Sequence, residues 1–310
     1  MWYNIYKRGD DMYLFIYNPK AGLSQRNELN EFIHCLNQSK IRFDLFLTDI
    51  NYGPVEIMDE VDHNYEGYII AGGDGTVSQM VQGLYNHKIR KPLIILPIGT
   101  ANEIAKNLGN VAHTTDILSN LENLSERPVD LGVLNETDCF TFALTFGNFT
   151  EVTYKTPQNL KNWLGYRAYL IYGFLTFRRI HAYGLKVRID DMLFSGSFVF
   201  GGITNSKSVG GIFHYDENEI ELSDGLFEVM LIRKPRNVSQ IRQILKGMMS
   251  REYDNDMFVI RQCKEVEIQS DTVMSMNIDG EFAGDMCSFK ATNHKEILNL
   301  MDYKGVTTHD

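Results

Sequence analysis

A short apolar run, a turn rich in small residues and then a helical pattern recur through the first third of the chain. This repetition constrains the fold more than any other feature. Met12 to Tyr17 is an apolar run stopped at Asn18-Pro19, which reads as a buried strand. In Ser24 to Gln38, Leu29, Phe32, Ile33 and Leu36 fall at i, i+3, i+4 and i+7, one apolar helix face. Ile41 to Leu47 reads as a second strand, Gly53 to Asp62 as a helix and Tyr68 to Ala71 as a third strand. Val77, Met80, Val81 and Leu84 mark a helix, Leu93 to Leu96 a fourth strand, and Ile104, Ala105 and Leu108 a further helix. Serial β-α units imply a parallel sheet covered on both faces, with ligands at the carboxyl ends of its strands.

Three of the connecting turns carry glycine at the same place in successive units. They are Asn18-Pro19-Lys20-Ala21-Gly22, Gly72-Gly73-Asp74-Gly75-Thr76 and Pro97-Ile98-Gly99-Thr100-Ala101-Asn102. In a parallel sheet all three meet on one edge. Glycine lets the backbone approach closely and turn successive N–H groups toward an anion, and each following helix start adds partial positive charge. Thr76 and Thr100 can cap the helices or donate hydroxyl bonds to phosphate, and Lys20 can supply a full charge. A single such turn is often only a tight connection; three together, one bearing an acid, point to phosphate. There is no G-x-x-x-x-G-K-[ST] string, so the chain is not a P-loop protein.

From about Val133 the texture changes. Cys139 to Phe146, Ser197 to Gly201, Phe227 to Ile232, Val266 to Ile268 and Met274 to Ile278 read as strands. Leu185, Val187 and Ile189 alternate with charged neighbours, as in a half-exposed strand. Tyr166 to Phe177 looks helical, and Val238, Ile241, Leu245 and Met248 form another helix face. The fold class expected is therefore α/β + β: an α/β domain over 1–133 and a β-rich domain of antiparallel type over 134–295. The last residues, 296–310, are placed to return to the first domain.

A net charge of −10 argues against a nucleic-acid partner. Cys35, Cys139, Cys263 and Cys287 are far apart with no C-x-x-C pair, so they read as reduced, mostly buried thiols of a cytoplasmic protein. The run Met12 to Tyr17 is too short for a signal-peptide core, and no stretch nears the ~18 apolar residues of a transmembrane segment. The histidines show no ligand spacing.

The string from Ile69 to Leu84, IIAGGDGTVSQMVQGL, resembles the signature of diacylglycerol kinases, sphingosine kinases and their bacterial lipid-kinase relatives. The short G-G-D-G-T core also occurs in NAD kinases, with a similar one in phosphofructokinases. YNPKAG near the start and LPIGTANEIAKNL in the fourth unit are similar to the lipid-kinase branch, in its order and spacing. Later matches are Val129 to Gly132, Gly210 to Ile212, Ser223 to Val229 and Asn277 to Glu281. The resemblance thus spans nearly the whole chain. It implies a phosphofructokinase/NAD-kinase-like N-terminal domain, a C-terminal β-sandwich-like domain and a site between them that uses ATP and Mg²⁺. Its activity would be phosphorylation of a lipid hydroxyl, most simply diacylglycerol to phosphatidic acid, by a cytoplasmic protein peripheral to the membrane. Members of the family can pair as homodimers.

Residue by residue, the resemblance implies nucleotide contacts from Asn18, Pro19, Lys20, Ala21, Gly22, Thr48, Gly72, Gly73, Asp74, Gly75, Thr76, Gly99, Thr100 and Asn102. Asp279 is implied as the general base for the lipid hydroxyl, which can take a proton as the oxygen attacks phosphorus. Met274, Met276 and Ile278 alternate inward, so Asn277, Asp279 and Glu281 would share the other face if the strand runs that far, pairing a base with a polar partner. The alternative is that Asp279-Gly280 is a hairpin turn. Asp74, beside the triphosphate, is implied as the Mg²⁺ carboxylate, with a share of the base role as a competing assignment. Glu221, Asp224 and the Leu226 carbonyl match a structural metal site, which is alternatively a solvated acidic turn.

The chain departs from the family at Ser78-Gln79, Glu103 and Ile212, and in the acidic, aromatic stretch His214 to Glu221. These changes bear on which lipid alcohol is used. Lys155, Lys161, Arg167, Arg178 and Arg179 flank the aromatic helix and could meet acidic headgroups. Equally, that helix could pack on its own domain with its charges in water. A NAD-kinase-like phosphotransferase and a catalytically silent nucleotide- or lipid-binding regulator remain the alternative readings.

Overall fold

A computed structural model describes residues 12–21, 26–39, 41–109, 114–147, 181–206, 208–209, 213–214 and 221–303. The elements are β1 (Met12–Tyr17), α1 (Arg26–Gln38), β2 (Arg42–Leu47), α2 (Pro54–Glu60), β3 (Gly67–Gly72), α3 (Asp74–Asn86), β4 (Pro92–Pro97), α4 (Glu103–Asn107), α5 (Thr114–Ser119) and β5 (Leu124–Leu134). They continue with β6 (Asp138–Phe140), β7 (Ala143–Gly147), β8 (Tyr183–Ile189), β9 (Met192–Thr204), β10 (Ser208–Val209), β11 (Phe213–His214), β12 (Phe227–Arg233), α6 (Val238–Ser250), β13 (Phe258–Cys263), β14 (Glu265–Ile278) and β15 (Glu281–Tyr303). The mixed α/β, strand-rich fold expected from the sequence is the fold observed. The chain divides into two compact units, Met1–Leu131 with Lys295–Asp310, and Gly132–His294.

In the first unit β1 pairs in parallel with both β2 and β3, and β3 with β4. The end of β15 adds a further parallel strand, with Asn299 beside Pro92. β1 is flanked by β2 on one side and β3 on the other, so the direction of chain advance reverses there. Such a reversal opens a crevice at the carboxyl ends of the strands. The strands are apolar because both faces are covered: on one, Phe15, Ile69, Ile94 and Leu96 are buried against Phe32 and Leu36 of α1 and Ile117 of α5. On the other, Leu14, Ile16, Ile70 and Ile95 are equally buried. Asp130, fully buried in the Val129 to Gly132 motif, accepts the N–H of Glu296 at 2.8 Å, and Arg127 pairs with Asp302 at 2.5 Å. These bonds hold the chain's return against β5.

The second unit is antiparallel, with strand order β13-β12-β9-β7-β14-β15. β8 pairs with the halves of β9 and β14 that β7 leaves open. Phe140, Phe146, Phe198, Phe227 and Phe289 fill the core on one face. On the other face, Ile244 and Met248 of α6 cover Phe200, Met230 and Ile232. Two expectations are corrected here. The run Cys139 to Phe146 is not one strand: Thr141 and Phe142 leave the ladder, because their N–H groups bond a side chain instead. Val266–Ile268 and Met274–Ile278 belong to one strand, β14, irregular in register between Gln269 and Met274. The helix expected over Tyr166 to Phe177 lies outside the described residues.

Candidate active site

The three glycine turns do meet at one edge of the first unit's sheet. Asn18, just past β1, donates its N–H to the Ala71 carbonyl of β3 and its side-chain amide to the Thr76 hydroxyl at 2.8 Å. Ile98, past β4, donates to the Gly72 carbonyl. Gly73 and Gly99 touch, and a Cβ on Gly99 would lie 2.5 Å from the Gly73 Cα, so only glycine permits this approach. Thr48, at the end of β2, is buried and donates its N–H to the Tyr17 carbonyl.

The first two of these turns and the end of β2 wall a cavity of about 280 Å³, lined by Asn18, Ala21, Thr48, Gly73, Asp74, Gly75 and Thr76. Asp49, Gly53, Pro54 and Gln79, none of them among the expected site residues, complete the wall. Gln79 stands at a departure from the family pattern, which is the signal that could have marked it. Pro19 and Lys20 are exposed beside the cavity, the Lys20 N–H closing an Asx turn on Asn18. Gly72, Gly99, Thr100 and Asn102 lie outside the lining. Gly22 is outside the described residues.

Two polar side chains fix the turns' shape. Asn102, at a left-handed φ of 52° that asparagine tolerates, accepts the Gly99 N–H at 2.8 Å and donates to the Gly99 and Pro97 carbonyls. Its amide is thereby spent within its own turn. Asp74 Oδ1 accepts the Ile104 N–H at 2.8 Å, tying the start of α3 to that of α4. Asp74 thus keeps one oxygen for the cavity it lines.

In the second unit, β14 ends at Ile278, so the alternation does not carry on to Asp279 and Glu281. Asp279-Gly280 is a two-residue hairpin turn with φ of 50° and 89°, Ile278 pairing directly with Glu281. Glu281 is exposed, whereas Asp279 is buried. Asp279 Oδ2 accepts from the Thr141 N–H and hydroxyl, and Oδ1 from the Phe142 and Ala143 N–H groups, all within 3.0 Å. Burial pushes this carboxyl above the usual carboxylate range, and the four donors pull it back. The donor set was invisible in the sequence, lying 136 to 138 positions away.

Asp224 Oδ1 accepts the Leu226 N–H at 2.8 Å, and the Leu226 carbonyl accepts from the Asn293 amide at 2.9 Å. Glu221 is exposed. Among the described residues no group of three or more His, Cys, Asp or Glu side chains is placed to hold a metal ion. Two residues past Leu226, Glu228 of β12 is buried, its Oε2 unpartnered and its carboxyl pushed up to about 7 by desolvation. Lys155, Lys161, Arg167, Arg178, Arg179 and Gly210 to Ile212 lie outside the described residues.

The diacylglycerol kinase catalytic domain matches residues 12–134, the segment that carries all three turns. A diacylglycerol kinase of Staphylococcus aureus (strain MRSA252) is 30% identical over 278 residues, covering 87% of this chain and 85% of the relative. The chain belongs to the diacylglycerol kinase family. Another of its diacylglycerol kinase relatives, from Bacillus subtilis (strain 168), is 31% identical over 70% of this chain and 71% of its own. The crystal structure of a diacylglycerol kinase from Bacillus anthracis str. Sterne has the same fold, with a TM-score of 0.68 at 17% identity over 95% of this chain and 97% of that one. Among the described residues no helix is long and apolar enough to cross a membrane.

Proposed function

We propose that this chain is an ATP-dependent lipid kinase, transferring the γ-phosphoryl group to the hydroxyl of diacylglycerol to give phosphatidic acid. In this reading residues 1–133 bind the nucleotide, 134–295 receive the lipid, and the protein works on the cytoplasmic surface of a membrane. The observation that carries it is the cavity at the strand ends, where Asn18, Thr48, Thr76 and Asp74 converge beside two touching glycines. Its donors are oxygens and amides, the set a phosphate and a hard cation need. Asp74 would hold Mg²⁺ with the oxygen that Ile104 leaves open. When bound, Mg²⁺ neutralises charge on the transferring phosphoryl group.

Asp279 takes the proton of the lipid hydroxyl. All four of its acceptor positions are filled, three by backbone N–H groups that cannot turn away and one by the Thr141 hydroxyl, which can. Rotation of that hydroxyl opens a lone pair on a carboxylate whose burial makes it a stronger base than a free aspartate. The same saturation favours a second reading, in which Asp279 is a structural tie and Asp74 accepts the proton. A phosphorylation assay with labelled ATP, Mg²⁺ and a lipid panel in mixed micelles tests the reaction. Labelled phosphatidic acid is expected from wild type, with none from Asp74→Asn. Label on no lipid, with ATP still bound, would sink the kinase reading.

A further inference from the structure

A second and larger concavity, about 1080 Å³, lies wholly in the second unit between the start of β9, the end of β12 and β13. Arg233, Lys234, Arg236 and Arg261 line it, against the two carboxylates of Asp254 and Asp256. Lys106, Arg188 and Lys290 elsewhere in the protein each stand beside a carboxylate. Among the described residues none of the four groove cations has such a partner. Arg233 lies with its guanidinium 5.4 Å from the Phe198 ring, where the missing side chain of Gly196 leaves it space, and the Arg261 guanidinium donates to the neighbouring Ile260 carbonyl. Among the described residues the groove thus sets four cations against two carboxylates, a local positive excess in a chain of net charge −10. Met192, half exposed, lines it, and the neighbouring Leu193 is 76% exposed.

We propose that this groove binds the phosphate headgroups of an anionic phospholipid surface, and so docks the protein on the bilayer independently of the catalytic cavity. Charge complementarity selects phosphate, since guanidinium groups match its oxygens in pairs. Met192 and Leu193 supply the apolar contact that a headgroup layer rewards and a soluble polyanion does not. The choice of a lipid occupant rests on the lipid-kinase reading above.

Vesicle co-sedimentation without ATP tests it, using phosphatidylcholine vesicles with and without one quarter phosphatidylglycerol. Wild type should partition onto the anionic vesicles only. K234E/R236E, both exposed positions, should weaken that partition roughly thirtyfold, the factor to which ~1 kcal/mol per cation converts. D254N/D256N should strengthen it, a gain that a damaged fold cannot produce. Asp74→Asn should bind vesicles as wild type does, so failure of the phosphotransfer assay and failure of docking are read separately. Equal binding to neutral vesicles, unchanged partition of K234E/R236E, or full displacement by millimolar inorganic phosphate would each overturn the proposal. A shift in oligomeric state in K234E/R236E without loss of vesicle binding would overturn it too, assigning the groove to a second copy of the chain.

Discussion

Asp279 Oδ2 accepts both the backbone N–H of Thr141, at 2.7 Å, and its hydroxyl, at 2.8 Å. The hairpin tip is thereby fastened to the break between β6 and β7, with Phe142 and Ala143 holding the other oxygen. Asparagine at 279 would turn an N–H₂ group toward one of these donor pairs. Leaving buried donors unmet costs ~1–3 kcal/mol each, so Asp279→Asn should lower unfolding free energy by about 3 kcal/mol in urea titration. Thr141→Val removes only the hydroxyl and should cost about 1 kcal/mol. Under the proposed mechanism it also leaves kcat within a few-fold of wild type, whereas Asp279→Asn loses at least ~10². Equal losses in the two variants would assign Asp279 to structure alone.

Gly99→Ala tests the contact between the two turns proposed to hold the nucleotide. The added Cβ would meet the Gly73 Cα at 2.5 Å and the Asn102 Oδ1 at 2.7 Å, a backbone and a hydrogen-bonded side chain. Overpacking of this kind costs ~1–3 kcal/mol, and here it would push the two turns apart. Weaker ATP binding by calorimetry, with a smaller loss of thermal stability, is the expected outcome. Unchanged ATP affinity would show that the turns are not the nucleotide site.

Asp74 can be dissected because its bond to Ile104 and its proposed Mg²⁺ role need different chemistry. Asp74→Asn keeps an acceptor for the Ile104 N–H and loses the charge; Asp74→Ala loses both. We expect both to abolish phosphotransfer and its Mg²⁺ dependence. Only Asp74→Ala should also destabilise the protein, by about 1 kcal/mol. Mg²⁺-stimulated turnover surviving in Asp74→Asn would remove Asp74 from the metal.

Much of this was legible because it is local. The strand–turn–helix order of the first unit follows from apolar period and turn residues within ten or so positions, and each of β1, β3 and β4 appears where the pattern places it. The site's walls were legible only where they sit on those turns. Asp49, Gly53 and Gln79 reach the cavity through tertiary packing, Gln79 lying so close to Gly53 that a Cβ there would fall 2.2 Å from its Oε1. Asp279 was found as a residue but not as a bonded group, since its partners come from a strand break that apolar periodicity reads as continuous. The basic groove escaped notice because its cations are spread from 233 to 261 along the chain.

The cysteines give a chemical check on burial. Cys139 and Cys263 are buried, and desolvation raises both thiols, that of Cys263 to about 12. Cys287 is exposed. Thiolate is the reacting form, so iodoacetamide at neutral pH should label Cys287 in the native protein and spare Cys139 and Cys263 until denaturant is added. Mass spectrometry of the digest reads this directly. Native labelling of Cys263 would mean that β13 opens readily.

Glu228 should give stability a pH dependence of its own. It lies in β12, buried, with Oε2 unpartnered and only a long, 3.3 Å bond from Gln262 to Oε1. Desolvation, aided by the charge of Asp224, raises its pKa from 4.5 to about 7. Below pH 4.5 the group is protonated whether the chain is folded or not, and burial carries no charge penalty. Between there and pH 7 the unfolded chain gives up the proton while the folded one keeps it, so stability falls as pH rises and levels off above 7. The loss is on the order of 3 kcal/mol. Glu228→Gln, neutral at every pH, removes this contribution. In chelator, its unfolding free energy should match wild type near pH 4.5 and exceed it at pH 8. Parallel curves across that range would mean that Glu228 is solvated or partnered in solution.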